Sequence, residues 1–169
     1  MPETSYELYG HFDHNLDDKS RLLIPSVLKE QLGTAVVITA GSGKHARIYP
    51  EPVWRELKAT LAQKIPLDAF EKHRIFMQRM HNNCERATVD NNGRLTLPRF
   101  IREWIGVKES TPVVLIGNDN WIEIWSVSGW ETYSQGYSDD AVNVALANLS
   151  ADIKTPDTTQ PAPNNEVVA

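Results

Sequence analysis

Residues 14–33 read HNLDDKSRLLIPSVLKEQLG, and residues 87–106 read ATVDNNGRLTLPRFIREWIG. Set against each other at an offset of 73, they share Asp17/Asp90, Arg21/Arg94, Leu22/Leu95, Pro25/Pro98, Glu30/Glu103 and Gly33/Gly106. Six identities in 20 positions exceed the roughly one or two that composition alone delivers. Conservative pairs such as Lys29/Arg102 and Ile24/Leu97 extend the match. With a small shift the similarity continues, Thr34–Ile38 onto Thr111–Leu115 and Ile48-Tyr49 onto Ile124-Trp125. One supersecondary unit is used twice.

Each unit reads as strand, tight turn, strand, short helix and hairpin. Leu16-Asp17 and Val89-Asp90 end a strand. Asp90-Asn91-Asn92-Gly93 is a turn in which the aspartate accepts backbone bonds and Gly93 supplies positive φ. In the first copy Asp17 and Ser20 hold the corresponding places. A serine at positive φ costs about 1 kcal/mol, so that turn is either slightly strained or of another type. Pro25 and Pro98 stop pairing and open short helices that end at Gly33 and Gly106. Hairpins are predicted over Ala35–Ala40 with His45–Tyr49 and over Pro112–Gly117 with Asn120–Trp125. Pro52 opens a helix carrying Trp54, Leu57 and Leu61, and Trp130 and Tyr133 mark its counterpart.

These signals give a domain over 1–135, made of repeats at about 7–60 and 83–134. A helix over about 66–81, with Leu67, Phe70, Met77 and Met80 on one stripe, joins them and has no second copy. Residues 136–169 form an acidic tail: a weak helix through Val142, Leu146 and Leu149, then a proline-containing stretch read as disordered. The net charge of −5 is unevenly placed. Residues 11–134 hold 16 basic against 15 acidic side chains, while the tail holds five acids and one lysine. A neutral body leaves room for a basic face without requiring one.

Several function classes fall away. No stretch approaches the roughly 20 apolar residues that span a bilayer. The acidic, polar start Met1–Ser5 is unlike a signal peptide, which points to the cytoplasm. The one cysteine, Cys84, makes neither an internal disulfide nor a Cys-rich metal site, and without a base and its orienter it reads as inert. His11 and His14 fall on opposite faces of a strand, so no metal is expected. With no phosphate loop or dinucleotide fingerprint either, no enzyme activity and no cofactor are expected.

The doubled Asp-x-x-x-Arg turn followed by an apolar pair and proline, with Ile48-Tyr49-Pro50 and a following Trp54 helix, resembles the MraZ family over about residues 7 to 134. The resemblance implies an α+β fold with a mainly β core: two AbrB-like swapped-hairpin units forming a double-barrel-like domain with short flanking helices. It also implies a cytoplasmic, nucleoid-associated transcriptional regulator, assembled as a homo-oligomeric ring on tandem repeats in double-stranded DNA. Those repeats are expected upstream of its own gene, at the head of a division and cell-wall cluster.

On that reading Lys19, Arg21, Arg86, Asn91, Asn92 and Arg94 are the candidate DNA contacts, while Asp17, Ser20, Asp90 and Gly93 shape the turns. A guanidinium suits guanine O6 and N7, or a phosphate. The competing reading for Arg21 and Arg94 is a cross-turn ion pair with Asp17 and Asp90. Arg99, Lys72, Arg74 and Arg79 read as solvated surface charges, and Trp54, Trp104, Trp125 and Trp130 as core or interface anchors. A non-enzymatic assembly or protein-interaction module on the same fold is the alternative function.

Overall fold

The computed structural model describes residues 5–64, 70–136 and 138–152. The chain divides into two compact units, Met1–Thr132 and Tyr133–Ala169. The first unit carries strands β1 (His11–Asn15), β2 (Arg21–Leu23), β3 (Ala35–Ala40), β4 (His45–Pro50), β5 (Cys84–Thr88), β6 (Arg94–Thr96), β7 (Pro112–Asn118) and β8 (Trp121–Ser126). Its helices are α1 (Ser26–Leu32), α2 (Glu51–Lys64), α3 (Phe70–Asn82) and α4 (Arg99–Ile105), and α5 (Val127–Ser134) runs out of it. The second unit contains α6 (Asp139–Asp152). The connecting helix expected over 66–81 is α3; its expected start at Leu67 lies outside the described residues, as does the tail beyond 152.

Six strands form one antiparallel sheet in the order β1-β7-β8-β4-β3-β5, and β2 pairs with β6 in a separate two-stranded ribbon. Each repeat lends its first strand to the other repeat's hairpin: β1 pairs with β7, and β5 with β3. The registers match as well. His14 faces Val113 in one pairing, and the equivalent Ala87 faces Val36 in the other. The doubled, swapped-hairpin core is therefore present. Its strands lie in one open sheet and a ribbon, and no closed barrel forms among the described residues.

The interleaving creates a pseudo-two-fold axis. In the ribbon, Leu22 lies opposite its own repeat-mate Leu95. In the sheet, Arg47 lies opposite Glu123, the residue that replaces it in the second repeat. Alternation along the strands then sorts the side chains. Val36, Ile38, Ala46, Ile48, Val113, Leu115, Ile122 and Ile124 point to one face and form the main core with Leu22, Leu95, Leu28 and Ile101. That face is covered by α1, α4 and the ribbon. On the other face Val37 and Tyr49 pack against Trp54 of α2. Both Leu22 and Leu95 are fully buried, and truncating either to alanine is expected to cost about 2–5 kcal/mol.

The prolines act as predicted. Pro25 and Pro98 sit at extended φ/ψ immediately before α1 and α4, and their carbonyls accept the first helical bonds. Gly33 and Gly106 close those helices at φ 75° and 74°, where a side chain would be strained. Only Gly106 is in the left-handed helical region; Gly33 has ψ −169°.

Candidate nucleic-acid interface

The ribbon places both turns and both arginines together. Leu22 and Leu95 point into the core, so alternation turns Arg21, Leu23, Arg94 and Thr96 outward on one face. Arg21 faces Thr96 across the ribbon, and Leu23 faces Arg94. The two arginines are diagonal neighbours, a relation that sets residues about 7–8 Å apart. The turns flank this face at its two ends and are tied to the opposite strand by matching bonds. Ile24 N–H donates to Gly93 O at 2.8 Å, and Leu97 N–H donates to Ser20 O at 2.9 Å.

Both turns are built by their aspartate. Asp17 Oδ1 accepts from the backbone N–H of Lys19 and of Arg21, at 2.9 and 2.8 Å. Asp90 Oδ1 accepts from Asn92 and Arg94 in the same way, at 2.9 and 2.8 Å. Ser20 adopts φ 59°, matching Gly93 at φ 78°, so the first turn keeps the second turn's left-handed geometry. Its buried hydroxyl donates to Glu109 Oε1 at 3.3 Å, which offsets part of the strain.

The arginines differ. Arg21 Nε donates to Asp17 Oδ2 at 2.7 Å, so the cross-turn ion pair exists in the first turn. Burial pushes the Asp17 carboxyl up, but the bonds from Arg21 and Lys19 outweigh it and hold the group below its ordinary range. Arg94 is exposed, and its guanidinium makes no hydrogen bond or ion pair among the described residues. The same holds for the side chains of Lys19, Asn91 and Asn92, all exposed on the turns. The face thus offers one guanidinium tethered to its own turn and one free to reach.

Repeat-mates Lys29 and Arg102 brace the turns from α1 and α4. Lys29 Nζ donates to Asn91 O at 2.8 Å, across the repeat boundary. Arg102 donates to Leu97 O at 3.3 Å and to Glu109 Oε1 at 2.7 Å, and Glu109 in turn receives Ser20. The Glu109 carboxyl is held low by its own backbone N–H, then by the Ser20 hydroxyl, and by Arg102. Sequence reasoning assigned no site role to Lys29, Arg102 or Glu109, although the Lys29/Arg102 pairing in the repeat was the available signal.

Arg86 is not brought to this face. It lies opposite Val37 in the sheet, on the α2 side, with its guanidinium 3.5 Å from Glu51. Arg99 pairs with Glu103 at 2.6 Å on the surface of α4. Trp54 and Trp125 are buried, whereas Trp104 docks by donating its indole N–H to the carbonyls of Gly43 and His45 at 3.0 and 3.1 Å.

On the α2 side of the sheet, Glu123 is the polar centre. It accepts from Trp121 Nε1 and Trp125 Nε1 at 3.1 and 3.0 Å and lies 3.8 Å from Arg47. A cleft of about 220 Å³ opens beside Arg47, lined by Tyr49, Trp54, Leu57 and the 39–42 segment. Arg47 already serves His45, Tyr49 and Glu123 there, so the cleft offers no spare charge for a ligand. Burial pushes the Cys84 thiol up, away from the reactive thiolate. Among the described residues no three His, Cys, Asp or Glu side chains gather as a metal site, and no helix is long and apolar enough to cross a membrane.

The duplicated, interleaved architecture has a counterpart among known families. The family model described as "MraZ protein, putative antitoxin-like" matches twice, over residues 8–76 and 80–148. The chain belongs to the MraZ family. Among its relatives, the transcriptional regulator MraZ of Leuconostoc mesenteroides is 33% identical over 144 residues, 85% of this chain and 98% of that protein. The protein of the same name from Lactobacillus delbrueckii subsp. bulgaricus is 36% identical over 145 residues, 85% of this chain and 94% of that one. The one from Moorella thermoacetica is 33% identical over 144 residues, with 85% and 98% covered. The MraZ repeat is thus the unit read from residues 14–33 and 87–106.

Proposed function

We propose that this chain is a sequence-specific, DNA-binding transcriptional regulator that reads DNA with the β2–β6 ribbon. The observation that carries the reading is the placement of Arg21 and Arg94 on one outward ribbon face between two braced turns. A two-stranded ribbon fits the major groove, and an arginine paired with guanine O6 and N7 is its commonest specific contact. Arg21, held by Asp17, enters the groove with little entropy to lose; Arg94 and Lys19 are free to follow phosphates. Asn91 and Asn92 add polar contacts, and Asp17, Ser20, Asp90 and Gly93 set the loop shape. The α2-side position of Arg86 leaves it to meet only DNA that wraps beyond the ribbon. The names of the curated relatives agree with a role in transcription.

The chain acts as a homo-oligomeric ring in the cytoplasm, at the nucleoid. Neighbouring subunits present identical ribbons to identical, G-rich tandem repeats upstream of its own gene, within the division and cell-wall cluster. For the ribbons to meet one face of the duplex, the repeats recur about every 10 base pairs. The test is a gel-shift titration on that upstream DNA and on a scrambled duplex, repeated at several salt concentrations. A selective shift that weakens steeply with salt is expected. Equal binding to both duplexes, or none, refutes the reading and favours a protein-interaction module.

A further inference from the structure

We infer that Leu23 and Thr96 form an apolar reading patch for the C5-methyl groups of thymine, between the two arginines of the ribbon face. The inference rests on the proposed DNA reading and adds to it two specificity-determining residues and the chemistry they recognise.

Four side chains point outward from the ribbon. Two of them, Arg21 and Arg94, are repeat-mates with the same chemistry. The other two, Leu23 and Thr96, are also repeat-mates, and each stands beside the other repeat's arginine. Leu23 leaves 47% of its surface exposed, although the turn beside it offers neighbours such as Gly93. Val27, four residues further on and in the first turn of α1, is 58% exposed. Exposed apolar residues are ordinary when scattered. Here the exposed leucine is a cross-strand partner of the free Arg94, in the middle of a charged and polar face.

A surface that meets only phosphate has no use for an isobutyl group at that point. The major-groove edge of DNA does: its base edges carry hydrogen-bonding atoms and one apolar group, the thymine methyl. Threonine is among the side chains that present a methyl to it. With Arg21 and Arg94 on guanine or phosphate, Leu23 and Thr96 fall on adjacent base pairs. The patch is unequal at its two ends, since leucine is the larger and wholly apolar partner. The end of the ribbon at the second turn therefore discriminates thymine more strongly than the end at the first.

The test uses the full-length protein and the upstream duplex made in two forms, one with thymine and one with deoxyuridine throughout. Uracil removes the methyl and leaves every hydrogen-bonding group in place. Losing one buried methylene-sized contact corresponds to about fourfold in affinity. The wild-type protein is expected to bind the thymine duplex at least fourfold more tightly than the uracil duplex. In Leu23→Ala that ratio falls to the smaller value left by Thr96, and Leu23→Ala/Thr96→Ser brings it close to one. The salt slope is expected to stay that of the wild type, because no phosphate contact is lost. A thermal melt of each variant unchanged from wild type separates lost reading from lost folding. Equal wild-type affinity for the two duplexes, with the selective shift intact, overturns the methyl patch and leaves the regulator reading standing. A full thymine preference retained in the double variant overturns it as well. Failure of any selective shift on the thymine duplex overturns the DNA reading itself, and this inference with it.

Discussion

Glu123 is the residue whose removal tests the interleaved core most directly. The residue is 8% exposed and faces Arg47 across the pseudo-two-fold axis. Replacing it with alanine strips the acceptor from Trp125 Nε1, which is buried, and from Trp121 Nε1, which is partly so. A hydrogen bond to a charged group contributes about 1.5–3 kcal/mol. The loss of attraction to Arg47 adds less than a fully buried pair would, because the arginine side chain is 30% exposed and water screens it. Glu123→Ala is therefore expected to lower stability by about 3 kcal/mol. Glu123→Gln keeps the shape and one acceptor oxygen and is expected to cost about 1–2 kcal/mol. Urea unfolding followed by tryptophan fluorescence, at one fixed protein concentration, measures both. A cost below about 1 kcal/mol for the alanine variant, or no difference between alanine and glutamine, would refute the argument that this carboxylate organises the indoles and Arg47.

Three further outcomes are expected. Arg21→Ala should weaken specific DNA binding by roughly 1–3 kcal/mol per engaged ribbon and slightly lower the melting temperature, whereas Arg94→Ala should weaken binding to all sequences alike, flatten the salt slope and leave the melting temperature unchanged, since its guanidinium has no ion-pair partner among the described residues; melts and shift titrations run side by side check this. His45 is held below its ordinary value of 6.5, first by burial and then by Arg47, against the pull of Glu123. The unfolded chain takes up this proton at higher pH than the folded one, so stability is level above about pH 6.5 and falls as pH drops below it, and urea curves of wild type and His45→Phe at pH 7.5 and 5.5 should show the variant losing less. Deleting residues 136–169 removes a charge of −4 and should leave folding and the selective shift intact, with tighter DNA binding at low salt; aggregation of the truncated protein would show that the tail belongs to the fold.

Much of this molecule was legible before any coordinate. The doubled Asp-x-x-x-Arg and proline pattern located both turns, both short helices and both hairpins to within a few residues. The apolar runs Val36–Ile38 and Val113–Leu115, placed in the predicted hairpins, lie in strands buried on both faces. Alternation gives a strand's face but not its partner, so the residues alone did not show the exchange of β1 and β5; the resemblance implied swapped hairpins, and the register identifies the strands. The same limit hid the meeting of Arg47 with Glu123, which lie 76 positions apart in sequence. Within the turns, identical spacing produced an ion pair at Arg21 and a free guanidinium at Arg94. For turn arginines no more than partly buried, those states differ by less than the sequence can resolve, because such pairs are worth little. The position of Arg86 on the α2 side follows from its pairing with Val37, again a matter of register.

The pairing of one repeat with the other also sets how this protein responds to dilution. Two half-length chains that interleaved in this way would have to find each other in solution, and their core would come apart as concentration fell. Here both halves travel on one chain, and the second encounter is intramolecular, at the millimolar effective concentrations typical of short tethers. Fusion also releases the axis from self-complementarity. Two identical halves would set arginine against arginine, or glutamate against glutamate, at the crossing of β4 and β8, whereas the single chain sets one against the other. Folding of this body is then a first-order event, and it persists in a cell that holds few copies of the chain.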